Sequence, residues 1–355
     1  MFHRMIGMVN RASLEAYRAR WERIQSDESG GVRVGILGPA GVGKTALEVA
    51  ILRTCVGLPF GSGLMLLPDS IAAYNETVKR AQDTETESLT RPLVSTRGGI
   101  ERWRLRLTDQ RRLDLPVTFA DIEGQLLTAW TSGATDDVRL RNRELLRYTA
   151  MADVLIITVP AQPPGSSPVG MREHRARVGS AAIHALAALD LRRRVSSRRL
   201  PVAVAVTQAD LWGDHEHEVR SSVTAGDVGE WYRGLTGLLM AHELVGDLAL
   251  IPVSAFGYGN TRPIDEPDPS TGNPASRIVG HATVDGVFRG DNIPTLVLWT
   301  LAMGLRSKLP RIGGQGARIR GIRAALEEDL GRDDGWIIAP RPLECRGKDS
   351  RPDEV

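Results

Sequence analysis

Apolar residues recur along this chain at two spacings, and each spacing predicts a different kind of element. Val32, Val34 and Ile36 alternate with arginine and glycine, which predicts a first strand. Three near-continuous apolar runs are typical of central parallel strands, and stretches with a helical period predict helices between and after them. The runs lie at residues 154–159, 202–206 and 248–253, and the helical stretches at 181–191, 231–244 and 295–309. Strands that alternate with helices predict an open, mostly parallel sheet with helices on both faces.

A further alternating pattern, between the first strand and the parallel runs, predicts one antiparallel hairpin strand. Trp103, Leu105 and Leu107 fall on one face of this strand, and arginines fall on the other. Residues 109–112 would form the turn, and residues 115–120 would form the return strand. The hairpin would therefore add an antiparallel strand to an otherwise parallel sheet.

The rest of the chain is arranged around this sheet. Apolar residues at helical spacing predict a helix at residues 11–26. The expected divisions are an N-terminal helix and linker at 1–29, a main domain at 30–309 with irregular insertions at about 60–98 and 257–292, and a mobile tail at 310–355. Within the tail, one short helix is expected around residues 322–330.

A phosphate-binding motif follows the first strand directly. Residues 38–45 fit G-x-x-x-x-G-K-[ST], and the helix formers at 46–53 predict the helix that such a loop requires. Lys44 would reach the β- and γ-phosphates, and the Thr45 hydroxyl would ligate Mg²⁺. The residues expected to contact the nucleotide here are Gly38, Ala40, Gly41, Val42, Gly43, Lys44, Thr45 and Ala46. The predicted fold class is therefore a three-layer α/β P-loop NTPase domain.

The composition of the chain indicates which class of protein carries this motif and in which compartment it is expected. The chain has 355 residues, of which 42% are hydrophobic and 25% charged, which is ordinary for a soluble globular protein. A net charge of +2 argues against a dedicated nucleic-acid binder. Cys55 and Cys345 lie far apart, so neither a disulfide framework nor a zinc site is expected. No segment fits a signal peptide or an integral membrane span, and we expect a cytoplasmic protein.

Three further motifs follow predicted strands, at the sheet edge where α/β proteins bind ligands. The first is D-x-x-G-Q at residues 121–125, in which Asp121 would hold Mg²⁺ through water. In the same motif the Gly124 N–H would sense the γ-phosphate, and Gln125 would orient the attacking water. The other two motifs are Thr207-Gln208-Ala209-Asp210 after one parallel run and Ser254-Ala255-Phe256 after the next.

In this order, the motifs resemble those of the Ras-like GTPases of the TRAFAC class, over roughly residues 30–309. The resemblance implies that Asp210 takes the guanine N1 and N2 protons and that the Ala255 backbone N–H meets O6. Thr207, Gln208, Ser254 and Phe256 would complete the base site. The chain departs from the pattern at Gln208, where the family has lysine, and at Ala40, where the Ras branch has glycine. These departures imply weaker guanine binding and slower hydrolysis.

The switch threonine of that family has two candidates in this chain. Thr96 is the first choice and Thr90 the reserve, because the residue should lie shortly before the hairpin strand. Its hydroxyl and carbonyl would close over Mg²⁺ and the γ-phosphate in the triphosphate state. Arg91 and Arg97 flank this segment, and each is either an arginine finger supplied in cis or a solvated loop arginine.

The expected function is a Mg²⁺-dependent GTP-hydrolysing switch, with Gln125, Lys44 and Thr96 as its catalytic residues. Loops near 85–98 and 121–140 would signal the nucleotide state to a protein effector or to a GAP- or GEF-like regulator. The long insertions suggest a bacterial regulatory member, similar to the double-GTPase proteins. Two alternatives stay open: a P-loop ATPase or kinase without guanine preference, and a nucleotide-bound scaffold with little turnover.

Two groups of charged or titratable residues stand outside these motifs. The arginine-rich run at 192–199 fits either an anionic partner or the carboxyl end of a helix, where arginines complement the dipole. Four histidines show no metal-ligand spacing, namely His174, His184, His215 and His217. We therefore predict no protein metal centre apart from the Mg²⁺ that accompanies the nucleotide.

Overall fold

The computed structural model covers the sheet, its helices and part of their connections. It describes residues 31–39, 41–68, 100–108, 114–122, 148, 151–162, 168–213, 225–257, 261–267, 274–280, 290–308, 316–333 and 337–338. The helix predicted at 11–26 and the hairpin turn predicted at 109–112 lie outside these residues.

Seven strands form one sheet, in the order β2-β3-β4-β1-β5-β6-β7. The strands are β1 Val32–Leu37, β2 Met65–Pro68, β3 Ile100–Thr108, β4 Asp114–Ile122, β5 Val154–Pro160, β6 Leu200–Thr207 and β7 Val245–Pro252. Only β3 runs against the others, since it pairs antiparallel with both β2 and β4 while the remaining pairs are parallel. The predicted mostly parallel sheet with one antiparallel hairpin strand is confirmed.

Helices cover both faces of this sheet. They are α1 Lys44–Cys55, α2 Pro168–Val195, α3 Ala225–Trp231, α4 Arg233–Ala241, α5 Ile293–Lys308 and α6 Gly316–Arg332. Val154 and Ile156 of β5 belong to a core cluster with α1, α5 and α6, whereas Leu155 and Ile157 belong to a second cluster with α2 and α4. Successive side chains of a strand point to opposite faces, so a strand buried on both faces is apolar throughout. The result is the predicted three-layer α/β P-loop architecture.

The structure differs from the sequence-based expectation in both insertions. The short edge strand β2 lies within the stretch 60–98 that was expected to be irregular. Strands β8 Thr261–Pro267 and β9 Pro274–Gly280 form a separate antiparallel hairpin within the expected loop 257–292. Neither segment shows a strand-like apolar alternation. Strand β2 has only four residues, which is too short for a clear pattern. Strands β8 and β9 pair with each other and do not join the main sheet, so they are not buried on both faces as its central strands are.

Two helices also differ in extent from the prediction. The stretch 231–244 is divided at Tyr232, between α3 and α4. Helix α6 has 17 residues, so it is longer than the helix expected at 322–330. Its buried residues Ile319, Ile322 and Leu326 join the core cluster that contains α5. Charged residues, glycine and alanine make up nearly all of the rest of α6, so the narrow apolar stripe is difficult to recognise in the sequence.

Candidate nucleotide site

The phosphate-binding loop joins the carboxyl end of β1 to the first turn of α1. Gly41 and Gly43 have φ angles of 75° and 81°, in the left-handed region that favours glycine. The first backbone bond of the helix runs from the Leu47 N–H to the Gly43 carbonyl, at 2.9 Å. Thr45 and Ala46 therefore lie in the first turn, where N–H groups have no acceptor within the helix. Such a turn can donate hydrogen bonds to an anion.

The side chain of Lys44 lies across this loop. Its Nζ donates to the carbonyls of Gly38 and Pro39, each at 2.9 Å, and the residue is buried. An ammonium group carries three N–H donors. The loop thus holds the ammonium above its own backbone, where a phosphate oxygen could also be bound. Ala40 lies outside the described residues, so its predicted contact stays a prediction.

Thr158 of β5 fixes the start of the loop, and no sequence motif predicts this role. Its hydroxyl donates to the Leu37 carbonyl at 2.9 Å, and the residue is completely buried. A Cβ atom added to Gly38 would lie 2.0 Å from the Thr158 Oγ1. Glycine is therefore required at position 38 because β5 approaches so closely. The one available sequence signal was a hydroxyl residue within the otherwise apolar run 154–159.

Asp121 lies at the same sheet edge as the loop. It is the penultimate residue of β4, it is 2% exposed, and it pairs in register with Ile36 of β1. Thr45 is half-buried in the first turn of α1. Hydroxyl and carboxylate oxygens suit Mg²⁺, which usually takes one or two protein ligands together with phosphate and water. Thr96, Gly124 and Gln125 lie outside the described residues.

Thr207 ties the predicted base-binding motif to the phosphate loop. Its hydroxyl forms a hydrogen bond to the Val42 carbonyl in the loop and another to the Val159 carbonyl of β5, at 3.0 Å for the latter. Thr207 is the last residue of β6, and its side chain is buried. Thr207, which the sequence predicts as a nucleotide contact, therefore links the base-binding motif to the phosphate loop by a hydrogen bond within the protein.

Asp210 and Ser254 meet at the ends of neighbouring strands. The Ser254 hydroxyl donates to the Asp210 carboxylate at 2.6 Å, and it accepts the Gly257 N–H at 2.9 Å. The two motifs are brought together because β6 and β7 are parallel neighbours, so both carboxyl ends lie at one edge. Ser254 is completely buried, and Asp210 is 6% exposed. The hydroxyl thereby fixes the position of a carboxylate that is buried at this edge.

The backbone around this pair takes uncommon conformations. Gln208 has a φ angle of 62° and begins the short helical turn Ala209–Trp212. Ala255 and Phe256 are half-buried and precede Gly257, which has a φ angle of 84°. A positive φ is uncommon outside glycine, so its occurrence at Gln208 indicates a locally constrained turn. This turn carries the chain from β6 to Asp210.

Helix α2 carries two buried histidines, His174 and His184. Burial lowers the pKa of His184 to about 4, and the positive charge of Lys44 adds to this effect. Burial also lowers the pKa of His174, whose Nε2 lies 3.1 Å from the Pro160 carbonyl. Both imidazoles are therefore neutral near pH 7, and His184 adds no positive charge beside Lys44. His215 and His217 lie outside the described residues.

Among the residues that the structure describes, no cluster of three or more His, Cys, Asp or Glu residues could hold a metal ion. No described helix is both long enough and apolar enough to cross a bilayer. A Mg²⁺ ion at Thr45 and Asp121 would take further ligands from the nucleotide and from water, and the predicted ligand Thr96 lies outside the described residues.

No protein-family model matches the chain, and no curated protein matches it in sequence. Among solved structures, it is similar to a chain of an oligomerised bacterial dynamin pair that provides a mechanism for the long-range sensing and tethering of membranes. The identity is 12% and the TM-score 0.33, over 90% of this chain and 51% of that chain. This chain thus spans about half the length of the dynamin chain.

Proposed function

We propose that this protein binds a guanine nucleotide with Mg²⁺ and hydrolyses GTP slowly as a molecular switch. The observation that carries the proposal is the 2.6 Å hydrogen bond between Ser254 and Asp210. It joins two motifs that are 44 residues apart, at the sheet edge that also holds the phosphate loop. Thr207 supplies a second link, since its hydroxyl bonds to Val42 within that loop.

Guanine recognition follows from the chemistry of a fixed carboxylate. An ionised carboxylate only accepts hydrogen bonds, and it does so through both oxygens. Guanine presents two N–H donors, at N1 and N2, whereas adenine presents an acceptor at N1. Asp210 would therefore attract guanine and repel adenine, while the backbone N–H of Ala255 would meet O6. Two hydrogen bonds to a charged group correspond to a preference of at least about a hundredfold.

Phosphate binding and hydrolysis would depend on the other end of the site. The Lys44 ammonium and the backbone N–H groups of residues 41–46 would bind the phosphates and stabilise the charge that develops on them. Thr45 and Asp121 would hold Mg²⁺, which supplies further charge neutralisation when bound. Gln125 would orient the attacking water and Thr96 would close over the γ-phosphate, as the sequence motifs predict.

The switch itself would consist of the loops near 85–98 and 121–140. Their order would change when the γ-phosphate is lost, and a protein effector or a GAP- or GEF-like regulator would detect the change. We place this switch in the bacterial cytoplasm, in keeping with the long insertions and the two distant cysteines. Purification of the protein with its bound partners from its native host would identify the effector.

The decisive test compares the affinities for GDP and ADP by titration calorimetry. The wild type should prefer GDP by at least about a hundredfold, and Asp210→Asn should lose most of this preference. Asp247→Asn is the matched control, since Asp247 is an exposed carboxylate that pairs with Arg306 at 3.1 Å. Equal affinities of the wild type for GDP and ADP would overturn guanine specificity and favour an ATPase or kinase.

Hydrolysis is tested separately, by phosphate release in a single turnover of bound GTP. The wild type should release phosphate slowly, Gln125→Leu should release none, and Ala40→Gly should be faster than the wild type. Tight GTP binding without any phosphate release, even with a partner present, would instead identify a nucleotide-bound scaffold.

A further inference from the structure

A cavity of about 190 Å³ lies at the amino-terminal edge of the sheet, opposite the phosphate loop. Its walls are formed by Asp153, Arg192, Arg198, Arg199 and Ser307. Asp153 directly precedes β5, and Arg198 and Arg199 directly precede β6. Because β1, β5 and β6 are parallel, this edge is opposite to the one that carries the nucleotide motifs. The cavity is therefore separate from the candidate nucleotide site.

Backbone contacts hold two of the arginines in place. Arg192 is 5% exposed, and its guanidinium donates to the Ala152 carbonyl at 2.7 Å and to the Arg198 carbonyl at 3.1 Å. The Arg198 guanidinium in turn donates to the Ser307 carbonyl at 3.1 Å, near the end of α5. Of these bonds, only the one from Arg198 to Ser307 reaches the carboxyl end of a helix, and that helix is α5 rather than the preceding α2. Together the bonds fix the guanidinium groups before any ligand arrives.

The charges around the cavity do not balance. Three guanidinium groups line it, and Asp153 is the one carboxylate among its walls. That carboxylate is already bound by Arg33, whose backbone N–H lies at 2.9 Å and whose side-chain Nε lies at 3.6 Å. Arg199 is exposed, and within the described part of the chain its guanidinium forms no hydrogen bond or ion pair. The walls thus carry a surplus of positive charge.

We propose that this cavity binds a phosphate-type oxyanion. The planar guanidinium fork matches phosphate oxygens in pairs, and such hydrogen bonds are among the strongest in proteins. Arg199 and the remaining donors of Arg198 would bind the oxygens, while the buried Arg192 would contribute charge. A phosphate dianion would neutralise most of this surplus, that is, two of the three guanidinium charges. The phosphate could belong to a soluble molecule or to a lipid headgroup, because both present the same oxygens.

Inorganic phosphate is the first probe, titrated against the full chain and followed by ³¹P NMR. A Lys44→Ala background removes the phosphate loop as a competing site. In this background Arg199→Gln should weaken phosphate binding about tenfold, which is the value of one charged hydrogen bond. Arg193→Gln is the matched control, because it removes the same charge from an exposed arginine outside the cavity, which pairs with Glu243 at 3.3 Å. This control variant should bind phosphate as well as its parent does.

Two outcomes would overturn the proposal. One is the absence of phosphate binding in the Lys44→Ala background, and the other is an equal loss of binding in Arg199→Gln and Arg193→Gln. The same pair of variants is also compared in the otherwise wild-type chain, where the phosphate loop contributes equally to both. This repeat keeps the comparison valid if Lys44→Ala does not fold.

Vesicles distinguish the two sources of phosphate. Sedimentation with phosphatidylcholine vesicles is compared with and without a minor fraction of phosphatidylinositol phosphate. A lipid headgroup is the ligand if vesicle binding meets three conditions. It requires the phosphorylated lipid, it is lost in Arg199→Gln, and it is retained in Arg193→Gln. Binding of inorganic phosphate without vesicle binding supports the same site and assigns it to a soluble phosphate compound.

Discussion

Replacing Ser254 by alanine removes one buried hydroxyl that joins three parts of the candidate base site. The hydroxyl donates to the Asp210 carboxylate at 2.6 Å and accepts the Gly257 N–H at 2.9 Å. In Ser254→Ala, the carboxylate loses its fixed donor and the Gly257 amide loses its acceptor. Both groups are enclosed, since Asp210 is 6% exposed and Gly257 is buried.

The size of the effect follows from these two bonds. A hydrogen bond to a charged group contributes about 1.5–3 kcal/mol, and a neutral one contributes about 1 kcal/mol. Ser254→Ala should therefore lower the free energy of unfolding by about 2–4 kcal/mol, from a typical total of about 5–15 kcal/mol. Because Asp210 is then held less firmly, the affinity for GDP should also fall, by about tenfold.

Urea denaturation followed by circular dichroism measures the first effect, and titration calorimetry with GDP measures the second. Ser307→Ala is the matched control, since its hydroxyl donates only to the Gly304 carbonyl, at 2.8 Å, in the last turn of α5. A loss of stability no larger than that of Ser307→Ala would refute the role of the hydroxyl in the fold. A normal GDP affinity in a destabilised Ser254→Ala would refute its role in positioning Asp210.

Three further predictions concern the loop and the buried histidine. Gly38→Ala should destabilise the protein by about 1–3 kcal/mol in urea denaturation, because the added Cβ would lie 2.0 Å from the Thr158 Oγ1. Thr207→Ala should weaken nucleotide binding measured by calorimetry, whereas Thr207→Ser should not, because serine keeps the hydroxyl that bonds to Val42. Because of His184, the free energy of unfolding should fall by about 3 kcal/mol as the pH falls from about 6.5 to about 4. In that window the unfolded chain takes up the proton that burial denies to the folded imidazole. His184→Leu should show a flatter dependence of unfolding free energy on pH, and an unchanged slope would contradict the assignment.

Much of the fold could be predicted because its central strands are buried on both faces. Such strands are apolar at every position, as in 202–206, so their pattern needs no knowledge of their neighbours. Strand β2 and the hairpin β8–β9 were missed because they lie at an edge or pair only with each other. Helix α6 was predicted too short because its apolar stripe is narrow.

Within the candidate site, the residues of the motifs could be predicted from the sequence. The residues that hold them in position could not. Lys44, Asp121 and Asp210 stand in short motifs whose chemistry is carried by adjacent residues. Thr158 stands in no motif, and its role depends on how closely β5 approaches Gly38. Thr96 and Gln125 lie outside the described residues, so the roles predicted for them stay predictions.

Residue types and their spacing were enough to predict the kind of sheet, the phosphate loop and the order of the motifs. These properties depend on residue types and on spacing along the chain, which are local. Three features could be recognised only in the folded chain: the bond from the Ser254 hydroxyl to the Asp210 carboxylate, the bond from Thr207 to the phosphate loop, and the cavity lined by arginines at the opposite edge. Each of these contacts joins residues far apart in the chain, and strand order and register bring them within bonding distance.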